Sequence, residues 1–331
     1  MVSISDSEVC SIVTIVHILI YKIQLLRGLI RMKKKWSILL CSLMMVGVLA
    51  ACGNNNNEAA TPATTEPATT TEAVTPATTE TQGQYKDGSY YAEGEFDAES
   101  GWKPYIVLTV KEGKIATADW NFVSSKGGPD KKALDKAGKY GMKEKGKAQA
   151  EWYEQAALAE QFLIEKQDPT AITLDAEGKT DAISGVSIHV SDLSTLAKKA
   201  LDAGPAEPGA YKDGSYHAEA DAFEADSGWK STVDLTVANG KIMYAFFSGV
   251  NEAGEDKQAN SIEGKYGMKA NGGSVAEWHE EAQAAEAFLI EKQDPAAITM
   301  NAEGKTDAIS GVTIHVSDFV TLSQKALEGA K

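Results

Sequence analysis

Two hydroxyl side chains, Ser187 and Thr313, occupy the same place in a ten-residue segment that the chain carries twice. Residues 181–190 read Asp-Ala-Ile-Ser-Gly-Val-Ser-Ile-His-Val and residues 307–316 read Asp-Ala-Ile-Ser-Gly-Val-Thr-Ile-His-Val, 126 positions apart. One hydroxyl replaces another and nothing else changes, so the hydroxyl is what this small-residue turn presents. It is not read as a hydrolase nucleophile, because no strand–Gly-x-Ser-x-Gly–helix context surrounds it. His189 and His315 follow two residues later. As imidazoles they suit proton shuttling, or they are half-buried strand residues. As a pair they form no metal site, since the ligands would have to come from two domains.

The duplication extends well beyond this turn. Tyr85–Tyr90 returns as Tyr211–Tyr216, Lys139–Met142 as Lys265–Met268, and Phe162–Pro169 as Phe288–Pro295, all at the 126 offset, whereas Trp102 matches Trp229 at 127. Two copies are too few for a solenoid. Each is about 120 residues, within the range of an independent domain. The expected organisation is 85–203 as one domain, 204–210 as a short, stiff Gly/Pro linker, and 211–331 as a second domain of the same fold.

Within a copy, Ile106, Leu108 and Val110 recur at alternate positions, then Glu112-Gly113 turns the chain and Lys114–Phe122 forms a second strand. The other copy has Val233, Leu235 and Val237 with Asn239-Gly240, a strong two-residue hairpin signal. Tyr85–Glu95 is a first strand. A helix is expected over Lys147–Lys166, with Trp152, Ala156, Ala159 and Leu163 on one stripe, matched by Trp278, Ala282, Ala285 and Leu289. Asp168-Pro169 ends it. Ala171–Leu174 reads as a short strand, and Ser191-Asp192 as the N-cap of a closing helix to about Leu201. The fold class is α+β: two tandem repeats, each an antiparallel sheet with packed helices.

The N-terminal stretch is built for export. Met32-Lys-Lys-Lys35, the apolar run Trp36–Leu49 and Leu49-Ala-Ala-Cys52 form a lipoprotein signal peptide over 32–52, with Cys52 as the lipidation site. The apolar run is shorter than the ~20 residues of a membrane span. Acyl chains would anchor the protein, each buried methylene contributing about 0.8 kcal/mol. Residues 1–31, which hold the two arginines Arg27 and Arg31, read as an upstream extension ahead of Met32. Residues 53–84, rich in Thr, Ala, Glu, Asn and Pro, form a disordered tether.

Cys10, Cys41 and Cys52 are the only cysteines, so the domains contain no disulfide, thiolate metal site or haem attachment. Residues 1–52 hold 2 acidic and 6 basic residues of the chain's 47 and 32, which leaves 45 and 26 and a net charge of −19. That balance argues against nucleic acid as a partner and against adhesion to anionic lipid.

The repeated Asp-Ala-Ile-Ser-Gly-Val-Ser/Thr resembles the flavinylation motif of the FMN-binding domain family. That family includes a subunit of the sodium-pumping NADH:quinone oxidoreductase and flavinylated surface lipoproteins of Gram-positive bacteria, some of which release a pheromone peptide from the signal sequence. The usual core is Ser/Thr-Gly-Ala-Thr with an upstream Asp. Here Val186 and Val312 replace the Ala, and Ser187 replaces one Thr. The resemblance implies that a flavin transferase esterifies Thr313, and Ser187, with FMN phosphate, giving up to two covalent FMN. It makes Gly311, Gly185, Ser310, Ser184, Asp307 and Asp181 the surrounding site, the aspartates ordering the turn or helping the transferase to bind metal-linked FMN. Trp152, Trp278, Tyr140 and Tyr266 would stack on the flavin or belong to the core, and Lys139–Met142 resembles a flavin-lining loop. No resident metal is expected.

The implied function is a lipid-anchored electron carrier on the extracellular side of the cell membrane, not an enzyme. It would pass electrons from a membrane quinone or NADH dehydrogenase donor to extracellular acceptors such as ferric iron. The alternative is a cofactor-free binding or adhesion lipoprotein. A pheromone peptide released from around Ser42–Ala51 is compatible with either.

Overall fold

The structure, a computed structural model, describes residues 84–331. The extension, the signal peptide with Cys52 and the tether up to residue 83 lie outside the described residues. Each repeat forms a three-stranded antiparallel sheet in sequence order. The first contains β1 (Gly88–Glu93), β2 (Trp102–Lys111) and β3 (Lys114–Ser124), then α1 (Lys131–Lys136), α2 (Trp152–Lys166) and α3 (Ser191–Ala203). The second contains β4 (Gly214–Glu219), β5 (Trp229–Ala238) and β6 (Lys241–Asn251), then α4 (Lys257–Ile262), α5 (Met268–Gly272), α6 (Trp278–Lys292) and α7 (Ser317–Leu327). The α+β expectation holds for both. Among the described residues no helix is long and apolar enough to cross a membrane.

The repeated words of the sequence explain the scaffold. The hairpin turns place Glu112-Gly113 and Asn239-Gly240 at positive φ, the two-residue geometry that matches strand twist. The Asp of each Tyr-Lys-Asp-Gly-Ser-Tyr segment secures its turn. Asp87 accepts from the N–H of Glu112 and Gly113 at 3.0 and 2.7 Å, and Asp213 does the same for Asn239 and Gly240. Gln167 and Gln293 end the long helices in the left-handed region. Each also bonds both backbone groups of a β3 or β6 residue, Ile115 or Ile242, and so fixes helix to sheet.

Trp152, Ala156, Ala159 and Leu163 are buried against Ile106, Leu108 and Val110, and their counterparts form the second core. The expected helix from Lys147 begins instead at Trp152. Lys147 has φ 54, and a capping box between Glu151 and Glu154 sets the start. Ala171–Leu174 is not a strand. Asp168 accepts from Thr170 N–H at 2.8 Å and opens a single 3-10 turn, Pro169–Ala171, after which Ile172 is buried and no neighbouring strand pairs with the segment. Ser191 is the first residue of its helix rather than its cap, which is Val190.

The sheets have a second apolar face. Tyr105 and Val123 of the first repeat and Ala238, Met243, Tyr244 and Phe246 of the second form a third buried cluster, with Tyr91 and Val107 against it. Polar bonds frame it: Ser89 to Asn239 at 2.6 Å, Ser215 to Asp130 at 2.7 Å, and Gly128 N–H to Asp234 at 2.9 Å. The linker is pinned to both repeats, Ala206 N–H bonding the Ser89 carbonyl and Gly209 N–H the Asn239 carbonyl. The repeats are therefore one compact unit.

Candidate functional site

Ser187 and Thr313 lie in irregular backbone between the 3-10 turn and the closing helix, and both are exposed. The turn needs its glycine for conformation: Gly185 and Gly311 have φ 84 and 80, a region that costs an L-residue roughly 1–2 kcal/mol. Close approach is not the reason at Gly311, where an added Cβ would meet nothing within 4 Å. Ile183, Val186 and Ile188, with Ile309, Val312 and Ile314, anchor the turns in the two cores. The valines that replace alanine are therefore core contacts pointing away from the hydroxyl.

The partner of each hydroxyl was not legible in the repeated segment. Thr313 Oγ1 donates to Glu281 at 3.1 and 3.0 Å, and the N–H groups of Thr313 and Ile314 donate to the same carboxylate at 2.5 and 3.0 Å. Glu281 is 2% exposed, on the first turn of α6. A buried carboxylate normally needs a cation or several hydrogen bonds; among the described residues this one has N–H and O–H donors. In the first repeat Gln155 stands in its place. Its Oε1 accepts from Ser187 N–H and Oγ at 2.7 and 3.1 Å, while Nε2 donates to the Ala150 carbonyl at 3.0 Å. A carboxylate can remove a hydroxyl proton; an amide can only hold the hydroxyl in place. The available sequence signal was a polar residue three positions after Trp152 and Trp278, beside the apolar stripe.

Next to Thr313 in sequence, Ile314 and His315 line a cavity of about 460 Å³ whose other walls include Phe247, Lys257, Tyr266 and Trp278. That volume falls within the range of ligand pockets. Lys257 Nζ lies 4.7 Å from the Trp278 ring and 5.2 Å from Tyr266, and desolvation by this burial lowers its pKa. Glu224, Asp226 and Asp318 line the cavity too, so the acidic lining disfavours an anionic group inside. Thr313 itself adjoins this cavity through Ile314 and His315 rather than lining it, and neither repeated hydroxyl lines a second groove, about 500 Å³ at the linker beside Gly209 and Lys241.

The other expected site residues divide. Tyr266, Trp278 and Met268 of the Lys265–Met268 loop line the cavity, and so does His315, which is exposed and not in a strand. Asp181, Asp307, Ser184 and Ser310 are exposed. The turn is ordered by other residues, the buried Thr180 and Thr306, whose hydroxyls accept from Ala182 and Ala308 N–H at 3.1 Å. In the first repeat Trp152 and Tyr140 pack around Lys131, whose Nζ is 4.8 and 4.9 Å from their rings. Burial pushes the Lys131 pKa down to about 8.

No family model and no curated protein matches the chain. Two solved structures are similar to it. A solution NMR structure of a Clostridium thermocellum protein is 51% identical over 35% of this chain and 90% of that one, with a TM-score of 0.29. A crystal structure of a Clostridium perfringens protein is 30% identical over 36% of this chain and 88% of that one, also with a TM-score of 0.29. What the chain is similar to is thus a pair of clostridial proteins, each matched over about one repeat's length.

Proposed function

We propose that the chain is a lipid-anchored extracellular flavoprotein electron carrier, with FMN joined by a phosphoester to Thr313. The observation that supports it most is the exposed Thr313 hydroxyl, held by the buried Glu281 carboxylate beside an aromatic cavity. The residues present fit such a group: an accessible oxygen for the phosphate outside the acidic lining, and apolar walls from Phe247, Tyr266 and Trp278 for a ring.

In attachment, Glu281 would accept the Thr313 Oγ1 proton while that oxygen replaces the leaving group of an activated flavin phosphoanhydride held by the transferase, the leaving group departing with the electron pair. Thr313 N–H and Ile314 N–H keep Glu281 aimed at the hydroxyl throughout. Once bound, the flavin supplies reversible electron transfer, while the protein positions it and tunes its surroundings. The partners are a flavin transferase, a membrane quinone or NADH dehydrogenase donor and an extracellular acceptor such as ferric iron, with Cys52 holding the chain at the membrane.

The test is to co-express the full chain with a flavin transferase and record the intact mass after denaturation. An FMN increment lost in Thr313→Ala is the expected result. A colourless, unshifted protein beside an active transferase control would leave the cofactor-free binding lipoprotein as the account.

A further inference from the structure

Around the cavity the two repeats are not equivalent, and the difference lies on one strand face. Phe122 of β3 corresponds to Gly249 of β6, because Trp102 pairs with Ser124 and Pro104 with Phe122 in one sheet, while Trp229 pairs with Asn251 and Ser231 with Gly249 in the other. Phe122 is 8% exposed. Its ring packs 5.4 Å from both Trp120 and Trp152, and Lys131 Nζ sits 4.6 Å above it. Trp102 and Tyr140 complete that cage around Lys131. In the second repeat Lys257 faces Trp229, Tyr266 and Trp278, and no ring stands at position 249. Ser231, opposite Gly249, lines the cavity there. Losing a phenyl ring and a proline from facing positions opens the space that Phe122 and Pro104 fill in the first repeat.

We infer that the second repeat admits a planar aromatic ligand and the first excludes it, with the residue at the Phe122/Gly249 position deciding which. That the ligand is a flavin rests on the function proposed above; the open and closed states do not. The Glu281/Gln155 difference runs in the same direction, since the repeat with the open cavity also has the carboxylate at its hydroxyl. In this chain the first repeat supports and docks, and Thr313 is the one acceptor that carries a ring.

Thiol labelling of the full chain with bromobimane, a planar reagent, tests the cavity without any flavin. The parent chain gives the background from its own cysteines. Ser231→Cys is expected to label at least about tenfold faster than Pro104→Cys. Phe122→Gly should accelerate the Pro104→Cys reaction, and Gly249→Phe should slow that of Ser231→Cys. An added Cβ at 249 would lie 3.0 Å from the Lys230 carbonyl oxygen, so Ser231→Trp serves as a second plug that leaves Gly249 untouched, read by loss of the flavin increment. Equal labelling at 231 and 104 overturns the inference. So does an FMN increment on Ser187 in the chain with Phe122 in place. Asymmetric labelling with no FMN increment anywhere upholds the asymmetry and overturns the flavin function instead.

Discussion

The two repeats share their scaffold and differ at the site. Both keep the Asp that secures the hairpin, the Gln that ties helix to strand, the capping box of the long helix and the left-handed Gly of the hydroxyl turn. These groups meet backbone donors and acceptors whose loss is costly wherever they are buried. The differences fall on side chains around the hydroxyl and the cavity: Gln155 against Glu281, Phe122 against Gly249, Pro104 against Ser231. A fourth difference lies beneath them. Glu160 is paired with Lys132 at 2.6 Å, whereas Gln258 replaces that lysine beside Glu286. Burial then pushes the Glu286 pKa up to about 8. The backbone network is thus the same in both copies, and the side chains around the hydroxyl and the cavity are not.

The largest effect expected from breaking this comparison is chemical. Glu281→Gln, which copies the first repeat, should slow flavin attachment at Thr313 by about 10²-fold, the lower range for a positioned proton acceptor. The rate is followed by intact mass. An unchanged rate would remove Glu281 from the proton transfer.

A second expected outcome concerns pH. Glu286 has a folded pKa above its unfolded one, so the folded state holds the proton more tightly. The stability this contributes is fully present below about pH 4.5 and is lost as pH rises through about 8. The loss is on the order of 4 kcal/mol. Denaturant melts at pH 5 and pH 8 should show it, and Glu286→Gln should flatten the difference.

Phe246→Ala tests the coupling of the repeats. Phe246 is 5% exposed in the cluster between the sheets, and a buried Phe→Ala change costs about 3–5 kcal/mol. The single melting transition of the pair should split in two, as seen by calorimetry. The smallest effect belongs to Asp307→Asn. The carboxylate is exposed and the turn is ordered by Thr306, so stability should change by less than about 0.5 kcal/mol. A large drop in flavin loading would then be due to recognition by the transferase.

Much of the fold is legible because it is local. Alternation of Ile106, Leu108 and Val110, the positive-φ turn at Asn239-Gly240 and the stripe from Trp152 to Leu163 are short-range patterns with fixed periods. The departures are also local: Ala171–Leu174 has strand-like residues and no strand to pair with, and Lys147 lies in a backbone region that cannot start a helix. The site was half legible. The hydroxyls and glycines stand in the repeat itself, but Glu281 and Gln155 come from a helix 32 residues away, and nothing in their spacing marks them as partners.

By itself the sequence determined that there are two copies of one α+β domain, and that an exposed hydroxyl sits on a glycine turn in each. Pattern and turn chemistry suffice for that, because both act over a few residues. Only the tertiary structure decided that the copies pack back to back through Tyr105, Tyr244 and Phe246, and that one cavity is open where a phenyl ring fills the other. Those outcomes depend on which side chains meet across strands and helices distant in the chain, and close packing converts a single Phe-to-Gly difference into the presence or absence of space.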